Sequence, residues 1–140
     1  MLHVGSEELS VSDVYASVAD TPSAGGIDMF IGVVRNEDGG REVSELGYTA
    51  HPKVNDFLRQ AVEETVSKYP VHAVSAVHRI GDLRIGDIAV IVAVACPKRG
   101  EAFEACRKIV EDIKFTVPIW KNQRFADGGT EWVAAEGPAR

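Results

Sequence analysis

An α+β fold with a largely antiparallel mixed sheet is predicted by two features of this sequence. Runs rich in β-formers come in neighbouring pairs, at residues 27–35 and 43–49 and again at 73–80 and 88–95. An amphipathic segment follows each pair, at 54–69 and at 101–114. With one further strand near the C-terminus, the order β-β-α-β-β-α-β gives two main helices and strands that pair with their sequence neighbours.

Each element has a local reason. Ser10-Val11-Ser12-Asp13 has capping-box-like spacing and precedes a short N-terminal helix through Val14 and Val18. Thr21-Pro22-Ser23-Ala24-Gly25-Gly26 ends that helix as a loop. Residues 27–35 are rich in β-formers and read as a strand. Asn36-Glu37-Asp38-Gly39-Gly40 reads as a polar turn or flexible loop before the strand at 43–49. The clearest helix follows His51-Pro52, the proline being suited to a first helical turn. Val54, Phe57, Leu58, Ala61, Val62, Thr65, Val66 and Tyr69 recur at three- and four-residue steps, which makes one buried face. Pro70 stops it.

Residues 73–80 then read as a strand, 81–87 as a turn-rich connection, and 88–95, nearly all apolar, as a central strand. A loop at 97–100 leads into the second main helix, packing Phe103, Cys106, Ile109, Val110 and Ile113. Pro118 prevents its regular continuation and biases Val117 to an extended conformation. Trp132 and Val133 fall on a last strand, and the tail from about Glu136 reads as loose. No repeat or linker divides the chain, so one domain over 1–140 is expected.

Composition narrows the function. The chain has 140 residues, a net charge of −6 and a pI near 5.2, which argues against nonspecific nucleic-acid binding. No apolar run approaches the length of about 20 that spans a bilayer. The N-terminus shows no basic region followed by a long apolar one, so a cytoplasmic protein is expected. Cys96 and Cys106 form neither a Cys-x-x-Cys pair nor part of a metal set and read as free core thiols. The histidines are scattered, with His3 and His72 incidental and His51 at a helix start. Neither a metal nor a cofactor is expected.

Charge is uneven. Residues 1–70 carry 12 acids against 5 bases, whereas residues 98–124 carry 7 bases against 4 acids. A local cationic segment in an acidic chain fits a small anionic ligand. Lys98-Arg99 lies between the most apolar strand and a helix, where the first amides of the helix also attract anions. Lys114 falls in the last helical turn, where it complements the dipole, and Lys121 follows Trp120 beyond Pro118. Lysines near other cations can lose a proton close to neutral pH and act as nucleophile or proton carrier. Arg35 closes the first of these strands, and a guanidinium there can hold a phosphate or carboxylate in a fork. His78-Arg79 near a strand end is a supporting acid–base candidate. Walker, dinucleotide and nucleophile-elbow motifs are all missing.

Phe30-Ile31-Gly32-Val33-Val34-Arg35-Asn36, His78-Arg79-Ile80-Gly81-Asp82-Leu83, Lys98-Arg99 before Ala102-Phe103-Glu104-Ala105, and Lys114 with Pro118-Ile119-Trp120-Lys121 occur in that order. Together they resemble the catalytic, large subunit of molybdopterin synthase, the MoaE family, over roughly residues 10 to 135. The resemblance implies an α/β-hammerhead fold and a central homodimer. It also implies a ubiquitin-like sulfur carrier docked at each end, making a heterotetramer. The carrier's Gly-Gly tail ends in a thiocarboxylate, which supplies sulfur to cyclic pyranopterin monophosphate to build the molybdopterin dithiolene. By position, Lys114 and Lys121 match the family's catalytic lysines, and Arg35 and Arg99 match its substrate-pocket arginines. The arginine that a neighbouring protomer contributes in the family has no match in this tail. Two departures stand out: Lys98 replaces the usual histidine, and Asn122-Gln123 replaces Lys-Glu after the Trp-Lys pair. They raise a second expectation, a catalytically weakened paralogue that binds pterin or carrier. An unrelated small-anion sensor is a distant third.

Overall fold

The computed structural model describes residues 1–133, and the expected loose tail from Glu136 lies outside them. The described residues hold nine strands and three helices, and the α+β expectation holds. In order these are β1 (Leu2–Gly5), α1 (Val11–Ala19), β2 (Gly26–Val33), β3 (Glu37–Asp38), β4 (Arg41–Ala50) and α2 (Val54–Lys68). They continue with β5 (Ala73–Arg79), β6 (Gly81–Arg84), β7 (Ile88–Cys96), α3 (Arg99–Phe115), β8 (Ile119–Phe125) and β9 (Thr130–Val133).

Two sheets organise the chain. The first has the order β1-β5-β7-β2, with β1 parallel to β5 and the other pairs antiparallel. The second has the order β3-β4-β8-β9, with β6 also pairing to β4, all antiparallel.

The alternation of β7 explains the core. Ile91, Ala93 and Ala95 face α1, where they meet Val14 and Val18. Val92, Val94 and Cys96 face the opposite way, onto Leu58 and Val62 of α2 and Cys106 and Ile109 of α3. A strand covered on both faces must be apolar throughout, which is why 88–95 shows no polar alternation. Each fully buried valine or isoleucine there contributes roughly 1.5–3 kcal/mol. A third cluster joins Val34, Val43, Leu46, Leu83, Ala89 and Phe125, binding the second sheet to the ends of β2 and β7.

Helix ends follow local chemistry. Ser10 caps α1 by accepting from the Asp13 amide at 3.2 Å. Pro52 falls just before α2 rather than in its first turn, in a tight turn where His51 Nδ1 accepts from the Lys53 amide at 3.0 Å. At the other end of α2 the chain turns extended at Tyr69, ahead of Pro70. Both cysteines are free and buried, as expected. Burial pushes the Cys106 thiol up to about 12, which keeps it protonated and inert.

Four strands, β1, β3, β6 and β8, depart from expectation. β1 is short, and side chains help hold it in place: Asn55 Oδ1 of α2 accepts from the Val4 amide at 2.8 Å. The connection at 81–87 contains β6, whose buried Leu83 pairs with Leu46. β8 went unseen because Ile-Trp-Lys-Asn-Gln-Arg-Phe has polar residues at its centre, although Asn122 and Gln123 are both buried.

The Oγ1 of Thr65, near the C-terminal end of α2, is buried without a hydrogen-bond partner among the described residues. Thr65→Val keeps the shape and removes the stranded hydroxyl. Urea unfolding should show a gain of about 1 kcal/mol. A loss of stability would mean that the hydroxyl is paired after all.

Candidate active site

β8 sets the geometry of the lysine-bearing face. It runs antiparallel to β4 with Lys121 opposite Tyr48 and Gln123 opposite Leu46. Directly paired residues project from the same face, and residues two apart along a strand share it. Ile119, Lys121 and Gln123 therefore stand on one side of β8, with Tyr48 beside Lys121. Strand pairing, not sequence proximity, brings this tyrosine in, so sequence reading missed it.

Tyr48 meets the His78 ring edge-on, with centroids 5.0 Å apart. Desolvation raises the tyrosine pKa, so its hydroxyl stays protonated. His78 lies deeper, 7% exposed, and burial lowers its pKa to about 4. Its Nδ1 lies 2.8 Å from the Arg79 carbonyl. A carbonyl can only accept, so Nδ1 carries the proton and donates. At neutral pH His78 is a neutral ring supporting Tyr48. Arg79 turns instead to Asp87, 3.7 Å away, bracing the turn before β7.

Lys114 projects from the last turn of α3, exposed, with its ammonium 6.0 Å from the Phe115 ring centroid. The helix closes as the amides of Thr116 and Val117 both donate to the Asp112 carbonyl, at 2.8 and 3.0 Å. Pro118 then hands the chain to β8. Lys114 and Lys121 thus flank a short connection.

Arg35 follows a firmly fixed residue. Val34 is buried, its amide donates to the Asp87 carbonyl at 2.9 Å, and its carbonyl accepts from Gly86 at 2.8 Å. Beyond it, Arg35 Nη2 lies 3.6 Å from Asp38 Oδ1. Asp38 Oδ2 accepts from Gln123 Nε2 at 2.8 Å. One carboxylate therefore connects Arg35 to the lysine-bearing strand. The segment at 36–40 is no loose loop: Gly39 and Gly40, with φ of 58° and 81°, make the turn of a β3–β4 hairpin.

Lys98 and Arg99 lie elsewhere on the same chain. Lys98 is the extended N-cap of α3 and makes no side-chain capping bond, which leaves the first-turn amides open to a ligand. Gly25 and Gly26 pack closely against the backbone of Pro97 and Arg99, forming an open depression with Glu101 and Phe103. Arg99 opens α3 and Lys114 lies in its last turn, so at 1.5 Å per residue their Cα atoms stand about 22 Å apart. The basic segment of the sequence is therefore two cationic sites at opposite ends of one helix. No group of three or more His, Cys, Asp or Glu among the described residues is placed to hold a metal ion. No described helix is long and apolar enough to cross a membrane.

The family model of the MoaE protein matches residues 4–116. The chain belongs to the MoaE family. The molybdopterin synthase catalytic subunit 1 of Mycobacterium tuberculosis is 41% identical over 128 residues, covering 91% of this chain and 86% of that one. The molybdopterin synthase catalytic subunit of a Nostoc species is 38% identical, covering 90% and 77%. Among solved structures, molybdopterin synthase from Staphylococcus aureus superposes with a TM-score of 0.85 at 34% identity, covering 94% of this chain and 96% of that one. The MoaE protein of Burkholderia ambifaria superposes with a TM-score of 0.79 at 28% identity, covering 96% and 89%.

The depressed His78 pKa makes stability pH-dependent. The unfolded ring protonates near 6.5 and the folded one near 4, so the unfolded state binds the extra proton between these values. Stability from this group is complete above pH 6.5, falls as pH drops through the window, and levels off below 4. The loss should reach about 3 kcal/mol at most. Chemical denaturation of wild type and His78→Phe at pH 7 and pH 5 should show a smaller loss in the variant. Equal losses would remove His78 as the cause.

Proposed function

We propose that this MoaE-family chain is the catalytic subunit of a molybdopterin synthase. It moves sulfur from the C-terminal thiocarboxylate of a small ubiquitin-like carrier to cyclic pyranopterin monophosphate. The observation that carries the reading is the linkage of cations along the β4–β8 ladder of the second sheet. Lys121 stands beside protonated Tyr48, and Arg35 is joined to the same strand through Asp38 and Gln123. The relatives' designation as catalytic subunits also implies a separate, noncatalytic partner, which fits the carrier.

These residues suit the chemistry. The thiocarboxylate sulfur bonds to a pterin carbon, leaving the carrier attached through a thioester. Water then adds to the acyl carbon, and negative charge builds on the acyl oxygen, where a preplaced ammonium stabilises it. The acyl C–S bond breaks to leave sulfur on the pterin and a carboxylate on the carrier. Lys114, at the exposed end of α3, takes the place nearest the carrier's tail. Lys121 serves as acid–base or electrostatic partner, with Tyr48 as a neutral hydrogen-bond donor beside it. Arg35 holds an anionic group of the pterin.

The remaining cations belong to the same reaction by way of a second copy. Lys98 and Arg99 are too far from Lys114 on their own chain to share one small substrate. In a homodimer, the α3 start of one protomer completes the lysine site of its neighbour. Lys98 in the usual histidine position brings an amine side chain to the start of α3, which suits phosphate binding.

The second reading, a binding module with weakened catalysis, draws on Lys98 and Gln123. Gln123 has a partner suited to it in Asp38, which favours the enzyme. Turnover separates the two. Purified protein with thiocarboxylated carrier should convert the pterin, and Lys114→Ala or Lys121→Ala should each lower kcat by about 100-fold or more. Carrier binding without product from wild type would establish the binding module. Near-normal rates in both variants would move the chemistry elsewhere.

A further inference from the structure

Gln123 is the most buried polar side chain on the lysine-bearing strand, at 2% exposed, and its amide donates to the Asp38 carboxylate of β3. We propose that Gln123 is a positioning residue: through Asp38 it holds Arg35 at the Lys121 face and so sets the affinity for the anionic substrate. The inference deepens the sulfur-transfer reading and rests on it for its kinetic part.

The two oxygens of Asp38 divide their work. Oδ2 accepts from Gln123 Nε2 at 2.8 Å, and Oδ1 faces Arg35 Nη2 at 3.6 Å. A carboxylate has no proton to give, so the Gln123 amide is oriented with its NH2 toward Asp38. The Arg35–Asp38 pair alone would fix little, because its side chains are 74% and 42% exposed and an exposed ion pair barely offsets the entropy of holding it. The hairpin alone is weak as well, since β3 contributes only the pairs Glu37–Glu42 and Asp38–Arg41. A buried amide supplies an attachment on the β3 side, complementing Arg41 on the β4 side, which binds Asp127 at 3.0 Å and lies over the Phe125 ring. The core-anchored Val34 holds the chain just before Arg35.

The residue type at 123 follows from this arrangement. A glutamate would bring two carboxylates to hydrogen-bond distance and drive the hairpin, with Arg35, off the strand. It would also add negative charge two residues from Lys121 on the same face. The carboxamide holds Asp38 while leaving both cations available to an anion. Asp38 and Gln123 are therefore a matched pair, and the Gln123 departure from the family pattern is compensated rather than damaging.

Two readouts test this. Amide hydrogen exchange over residues 37–42 in the ligand-free protein reports the attachment without any substrate. Steady-state kinetics with the carrier and cyclic pyranopterin monophosphate report its consequence. Gln123→Met removes the donor without adding charge; it should speed exchange and raise KM about tenfold each, with kcat within about twofold. Gln123→Glu should go further in both, and Gln123→Glu with Asp38→Asn should recover much of the protection, because the new amide donates to the new carboxylate. Unchanged exchange in Gln123→Met overturns the attachment. Faster exchange with an unaltered KM, or a fall in kcat at constant KM, overturns the positioning role. If wild type itself makes no product, the sulfur-transfer reading fails by itself, and the exchange data still decide whether Gln123 holds the hairpin.

Discussion

The β4–β8 ladder is the constraint on which the candidate site depends. Seven residue pairs, from Val43–Phe125 to Ala50–Ile119, hold a strand whose own sequence has little reason to be one. Its register decides the chemistry. A slip of one residue would turn Lys121 and Gln123 to the opposite face and present Asn122 and Arg124 in their place. Tyr48 would lose its cation, and Asp38 would lose its buried donor. The register is pinned at both ends, by Ile119 in the helix-side core and by Phe125 in the cluster with Val34 and Leu83. Arg124 adds a tie across the sheet, reaching Glu45 at 2.7 Å and Asp82 at 3.3 Å.

The second constraint is the length of α3. A helix bound along β7 by Ala102, Ala105, Cys106, Ile109 and Ile113 is a rigid spacer, and it separates the Lys98–Arg99 end from the lysine end. Cations that look like one cluster along the sequence become two sites in space. The open first-turn amides beside Lys98 suit an anion, yet the groups proposed to act on sulfur lie a helix-length away. The proposed second copy would bring the two ends together without any distortion of the fold.

Much of the fold was legible in the sequence where burial imposes a period. The repeats of α2 and α3 and the unbroken apolar run of β7 were read with bounds close to those observed, because each has one or two faces covered by core. β6 and β8 were not legible, since their strand character comes from a partner. Gly81 to Arg84 reads as turn chemistry until Leu83 meets Leu46, and β8 buries polar residues at its centre. The candidate site divides along the same line. Arg35, Lys98, Arg99, Lys114 and Lys121 stood out by charge and order. Tyr48 and Asp38, whose parts depend on cross-strand geometry, gave no local signal. His78 was visible, but its burial and its single carbonyl partner make it a support for Tyr48 rather than an acid–base group at neutral pH.

The central claim is that a complete site draws its lysines from one chain and Lys98 and Arg99 from another. Subunit complementation tests it directly. Chains carrying Lys114→Ala and chains carrying Arg99→Ala would be mixed, refolded together and assayed for molybdopterin formation at low substrate, beside each variant alone. A shared site places both lesions in one half of every mixed dimer and leaves the other half intact. Activity should then return to roughly a quarter of wild type, because half of the dimers are mixed and each holds one good site. Activity no greater than that of the separate variants, with mixed dimers verified, would contradict the claim and place the whole site within a single chain.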